Sequence, residues 1–146
     1  MCARSAGGFT LLEMMIVIVV LAMVTTVSFP TVSRLYTHTR VNQAAVAVAH
    51  DLSLAVSDAA RQRKPIRIAR GTDRTSITVS DRASGTVLST LWLGPDAYQL
   101  DSIGFSASPV DLFPNGFTSS ALTVTLWARG YSRQVTMSRA GWVRVL

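Results

Sequence analysis

A single carboxylate, Glu13, interrupts an otherwise uncharged and mostly aliphatic run of 21 residues from Phe9 to Phe29. The chemistry open to a carboxylate there is neutralising a cation in an apolar medium. As a helix, such a run spans about 31 Å, enough to cross a bilayer core. A charge inside a spanning segment costs roughly 2.5–3.5 kcal/mol at mid-helix, and less near the end where this one sits. Anchoring does not need that charge, so Glu13 has another task.

The residues around the run narrow that task. Met1–Gly8 is short and rich in small residues, with Arg4 its one charge. A basic residue ahead of an apolar segment keeps that end cytoplasmic. A secretory signal has an apolar core of ~7–15 residues followed by a small-residue cleavage site, for which Thr25–Ser28 is the candidate. This run is longer, and its Gly7-Gly8 pair precedes it. A plain uncleaved anchor is the other option, and it leaves Glu13 unexplained.

Gly8-Phe9-Thr10-Leu11-Leu12-Glu13 and the apolar stretch after it resemble the N-terminus of the type IV pilin and type II secretion pseudopilin superfamily. The resemblance implies that a prepilin peptidase cuts between Gly8 and Phe9 and methylates the new amine of Phe9. The physical reading agrees. Two small glycines give a protease close access to extended backbone. An amine at Phe9 and a carboxylate four residues later share one helix face. The resemblance implies that Glu13 receives the amine of a neighbouring subunit, which removes two charges that are costly apart in lipid. Glu13 is then an assembly device.

Other chemistry is sparse. Cys2 is the sole cysteine, so the body of the chain has no disulfide and no thiol chemistry. His38 and His50 stand twelve apart on an expected helix, too far for one metal ion, and read as solvent-facing or helix-packing residues. No Gly-x-Ser-x-Gly elbow or phosphate loop occurs. The aspartates are scattered singly, none lies beyond Asp111, and Asp96 and Asp101 are the pair able to approach each other. These patterns predict no enzyme, no cofactor and no metal.

The net charge of +6 is nearly all arginine. One basic group holds Arg61, Arg63, Lys64, Arg67, Arg70 and Arg74. A second holds Arg129, Arg133, Arg139 and Arg144, beside Trp127, Tyr131 and Trp142 and with no carboxylate. If 140–146 forms a strand, Trp142 and Arg144 share one face, and such a face can contact phosphates and stack on bases. The alternative is that Trp142 packs in the core or on a neighbouring subunit while the arginines are merely solvated.

The elements that must position these groups follow from periodicity. Pro30 interrupts the backbone ladder where the apolar run ends, and in the resembled family it marks a kink within one long helix. Val41, Ala45, Val48, Leu52, Val56 and Ala59 then recur at helical spacing, with Arg40, Gln43, Ser53, Ser57 and Arg61 off the stripe. Pro65 stops this amphipathic helix near Lys64. Beyond it the period becomes two, over 66–68, 77–79, 87–93, 122–126 and 135–137. Turns are expected at 70–74, 81–85 and 129–131, and a long irregular loop over 106–120.

The expectation is an α+β fold, a long N-terminal helix packed on a C-terminal antiparallel sheet. Residues 1–8 form the leader, 9–30 the transmembrane segment, 31–64 the amphipathic helix and 65–146 the sheet domain, so that 31–146 is soluble. This is also the pilin architecture. Arg61-Gln-Arg-Lys-Pro-Ile66, Phe113-Pro-Asn-Gly116 and Gly141-Trp-Val-Arg-Val145 resemble the H-type minor pseudopilins and FimT-like minor pilins. Trp142 departs from that pattern, which often has a basic residue there. The resemblance implies a minor subunit of a type II secretion pseudopilus in the bacterial inner membrane, with a cytoplasmic N-terminus and a periplasmic domain. Its implied partners are the prepilin peptidase, other major and minor pseudopilins, the inner-membrane assembly platform and, before assembly, lipid. The competing expectation is a FimT-like minor pilin that binds DNA during uptake.

Overall fold

The computed structural model describes residues 9–146, apart from the side chains at positions 27, 28 and 30. Helix α1 runs from Leu11 to Gln62. Thr10 caps its start, the Thr10 hydroxyl accepting a bond from the Glu13 N–H at 3.2 Å. The helical assignment is continuous through position 30. The kink expected at Pro30 depends on a side chain outside the described residues. At the other end α1 stops slightly before the expected Lys64. Arg63 adopts the left-handed conformation, φ 53°, that ends many helices, and Pro65 prevents further extension.

The chain divides into two units, residues up to Tyr36 and Thr37–Leu146. The first is the apolar part of α1, with exposed aliphatic side chains from Leu11 to Val24. Two of its hydroxyls bond within the helix: that of Thr25 donates to Leu21 O at 2.7 Å and that of Thr26 to Met23 O at 2.8 Å.

The second unit holds the rest of α1 and eight strands. These are β1 (Ile66–Arg70), β2 (Ser76–Asp81), β3 (Val87–Trp92), β4 (Ser102–Phe105), β5 (Val110–Leu112), β6 (Leu122–Ala128), β7 (Tyr131–Met137) and β8 (Val143–Val145). They form two four-stranded antiparallel sheets, ordered β3-β2-β1-β5 and β4-β6-β7-β8, where the sequence suggests one. The long-range pairings β1–β5 and β4–β6 make the division. The stretch 106–120 is likewise less irregular than expected, since it contains β5 and a bridge from Leu112 to Thr118.

One apolar cluster joins α1 to both sheets. Val41, Ala44, Ala45, Val48, Leu52, Ala55 and Ala59 are its helix side, in which alanine dominates. Ile66, Ile68, Ile77 and Val79 come from the first sheet, and Leu122, Val124, Leu126, Val135 and Met137 from the second. Side chains that alternate with these point outward, which is the period-two pattern made visible. The β6–β7 hairpin turns on Arg129 and Gly130, both left-handed at φ 46° and 81°, the geometry of a two-residue hairpin loop. Gly141 is also left-handed, at φ 74°. A Cβ there would sit 2.7 Å from the Gly116 carbonyl and 3.3 Å from Val56, so only glycine lets these segments approach so closely.

Candidate functional site

At the membrane end the site is built from few residues. Phe9 is 77% exposed and Glu13 is exposed in the first turn of α1. Thr10 and Glu13 occupy the cap and third helical positions, the spacing of a capping box. That signal was present in the sequence as Thr-x-x-Glu. A carboxylate also suits this place because unsatisfied N–H groups give a helix start partial positive charge. Glu13 is the only ionisable residue in Leu11–Phe29. Gly8 and the rest of the expected leader lie outside the described residues.

The window in α1 reaches a mean hydropathy of 2.4, and by length and composition this helix can cross a membrane. None of that window is buried within the chain. Its apolar surface is therefore left for lipid or for other helices.

The second basic group does not form one surface. Arg133 faces α1, where its Nε donates to Asn42 Oδ1 at 3.0 Å. Beside it Tyr131 stacks on His38 with ring centroids 3.9 Å apart. His38 is thus a packing residue. Arg129 lies in the β6–β7 turn, its backbone N–H donating to Asp101 Oδ2 at 2.7 Å. Arg139 follows the other end of β7, roughly 20 Å away at strand rise. Arg144 pairs opposite Thr136, on the face turned away from Val135 and Met137. Trp142, just ahead of β8, is 75% exposed. Core packing of Trp142 is therefore ruled out; Arg139, Trp142 and Arg144 are exposed at this end, and Arg129 is exposed at the far end of β7. Trp127 lies elsewhere, with its ring over Gly104.

Half of the first basic group, Arg61, Arg67 and Arg70, is engaged by partners, while Arg63, Lys64 and Arg74 are exposed. Arg67 grips Asp111 through Nε at 2.8 Å and Nη2 at 3.3 Å, and Arg82 adds Nε at 3.2 Å. The side-chain hydrogen bond from Arg67 holds the Asp111 carboxyl below the usual range. Arg61 pairs with Asp58 at 3.0 Å, and Arg70 Nη1 reaches Ile103 O at 3.4 Å. Nothing in the sequence flagged the Asp111 clamp, because its partners are far apart along the chain. Asp101 takes the Arg129 N–H, a role unrelated to the pairing with Asp96 suggested by the sequence. Among the described residues, no three metal-ligating side chains converge.

Comparison with known proteins places this geometry. Residues 3–29 match the prokaryotic N-terminal methylation motif, and residues 44–141 match the type II transport protein GspH family. No curated relative matches by sequence. The type IV minor pilin FimU of Pseudomonas aeruginosa superposes with a TM-score of 0.60 at 20% identity, over 75% of this chain and 90% of that one. The minor pseudopilin EpsH from the type 2 secretion system of Vibrio cholerae superposes with a TM-score of 0.59 at 14% identity, over 73% and 96%. Both likenesses concern the fold, a long helix on antiparallel sheets. With two thirds of its length under the GspH model and a methylation motif ahead of it, the chain belongs to the GspH family of pilin-like minor pseudopilins.

Proposed function

We propose that this chain is a structural subunit of a type II secretion pseudopilus, added by lateral packing of α1. The observation that carries the reading is a lone acid in the first turn of an unburied apolar helix. Residues 1–8 are the leader, and cleavage between Gly8 and Phe9 with methylation at Phe9 leaves an amine four residues from Glu13. In the bilayer Glu13 and such an amine are each costly, and pairing them between subunits removes both penalties at one relative position of the helices. The rest of 9–30 supplies the apolar filament core, and 31–146 is the periplasmic domain. The peptidase, other pseudopilins, the assembly platform and lipid are the partners of this cycle.

Glu13→Val tests it. Membrane insertion and a mature chain beginning at Phe9 are expected to persist, while recovery with co-assembled subunits is lost. Recovery at the normal yield would overturn the assignment.

A second reading is a FimT-like minor pilin that takes DNA on its C-terminal surface. The exposure of Trp142 beside Arg139 and Arg144 favours it. The inward turn of Arg133 and the distance of Arg129 count against a single surface.

A further inference from the structure

Four strands form the outer edges of the two sheets, and three of them are short, covered or charged. β5 has three residues and is closed off by Ser119, whose N–H donates to Asp111 O at 2.8 Å. β4 is met by the β1–β2 turn, with the Ile103 N–H donating to Arg74 O at 3.0 Å. β8 has three residues and carries Arg144. β3 differs. It has six residues, Val-Leu-Ser-Thr-Leu-Trp, with no charge and no proline, and it pairs only with β2. Proteins usually guard such an edge with lysine, proline or a covering segment. Here the guard is limited to one irregularity opposite Val79 and Ser80.

The backbone of β3 is directional. The Leu93 N–H donates to Thr75 O at 2.9 Å, and Leu91 and Ser89 lie opposite Ile77 and Val79. By the two-residue alternation of an antiparallel ladder, Leu91 and Ser89 turn their N–H and C=O groups to β2, while those of Thr90 and Trp92 face the open side. Val87 and Trp92 are 57% and 61% exposed.

Carboxylates line a cavity at each end of this edge, with Arg74 next in sequence at one and Arg61 paired at the other, in a chain whose net charge is +6. At the Trp92 end, Asp73 and Asp96 line a cavity of about 310 Å³ with Trp92 and Pro95. The Asp73 carboxylate is occupied by Thr75 and Ser76. Asp96 is exposed. At the other end, Asp51 and Asp58 of α1 line a cavity of about 120 Å³ with Leu88 and Ser89. Asp58 has Arg61, but Oδ2 of Asp51 is buried with no partner, and desolvation raises the Asp51 carboxyl. A cation arriving at this end would meet the unpartnered Asp51 oxygen, and a second one at the other end would lie over the Trp92 ring beside Asp96.

We infer that β3 is a docking edge for an extended segment of another polypeptide, which adds as a fifth strand and brings basic side chains to the Asp96 and Asp51 ends. Main-chain bonds to Thr90 and Trp92 supply affinity, and the carboxylates at the two ends select an arginine- or lysine-bearing strand. The inference concerns the globular unit and is read separately from the Glu13→Val test.

The test uses the full chain in its host's membranes, with photoreactive p-benzoyl-phenylalanine at Val87 or, as a control, at Ser132 on β7. Irradiation should give an adduct from position 87 at several-fold higher yield than from 132, joined to a partner peptide containing arginine or lysine. Thr90→Pro removes an outward N–H without touching the β2 ladder, so it should abolish the adduct with the fold intact. Asp96→Asn, at an exposed position, should lower it several-fold. Equal yields from the two sites, an adduct indifferent to both substitutions, or a partner peptide without basic residues would overturn the inference. So would a crosslink joining two copies of this chain through position 87, which would mean self-pairing of the edge.

Discussion

Asp111 shows how one side chain can organise a surface. Two arginines from different segments converge on it, and its side chain is 15% exposed. Asp111→Ala leaves Arg67 and Arg82 facing each other without a counter-ion, and should cost about 1–2 kcal/mol once solvent screening of the half-exposed arginines is counted. Urea unfolding of the full chain in detergent measures it. The pH dependence has a definite sign. The folded carboxyl sits below its ordinary value of 3.8, so its contribution is complete above that value and lost as acid carries the pH down through the folded one. Asp111→Asn should therefore flatten the acid side of the stability profile. None of this was legible beforehand, since Arg67 and Asp111 meet only through the β1–β5 pairing. Glu13 was legible, because a lone charge in an apolar run needs no partner to stand out.

Among the elements, the second half of α1 and the longer strands were readable because their burial alternates at 3.6 or 2 residues. Val41, Ala45, Val48, Leu52 and Ala59 are buried as the stripe requires, while Val56 is half-buried. β4 and β5 were not readable: each is three or four residues long, with Gly104 inside one and Pro109 before the other. The division into two sheets depends on pairings distant in sequence, and no local pattern encodes it. The alanines of α1 carry a prediction. Ala45 is fully buried in the core between helix and sheets, so Ala45→Leu should overpack it and lower unfolding free energy by about 1–3 kcal/mol in a denaturant titration.

For the molecule as a whole, the basic balance overstates what is free to bind a polyanion. Arg61, Arg67 and Arg82 hold carboxylates, and Arg133 holds Asn42. Of the tail set, Arg129, Arg139 and Arg144 remain exposed. Arg63, Lys64 and Arg74 are exposed too, away from the tail, so duplex DNA held in neutral detergent by the tail set alone should bind weakly, with a log–log salt slope of roughly −3 at about −0.9 per phosphate contact. A steeper slope with tight binding would favour the DNA-uptake reading over the secretion one.

The hydroxyls of Thr25 and Thr26 donate hydrogen bonds to carbonyls of their own helix. In the proposed assembly cycle, a rod wired this way would carry its hydroxyl bonds along when it exchanged fatty surroundings for a bundle of sister rods, and carry them back on release. Within Leu11–Phe29 the only ionisable group that must find a new companion at each such passage is the lone acid, Glu13. Growth and disassembly of the proposed fibre would then hinge on a single contact per subunit, leaving the rest of the rod indifferent to direction.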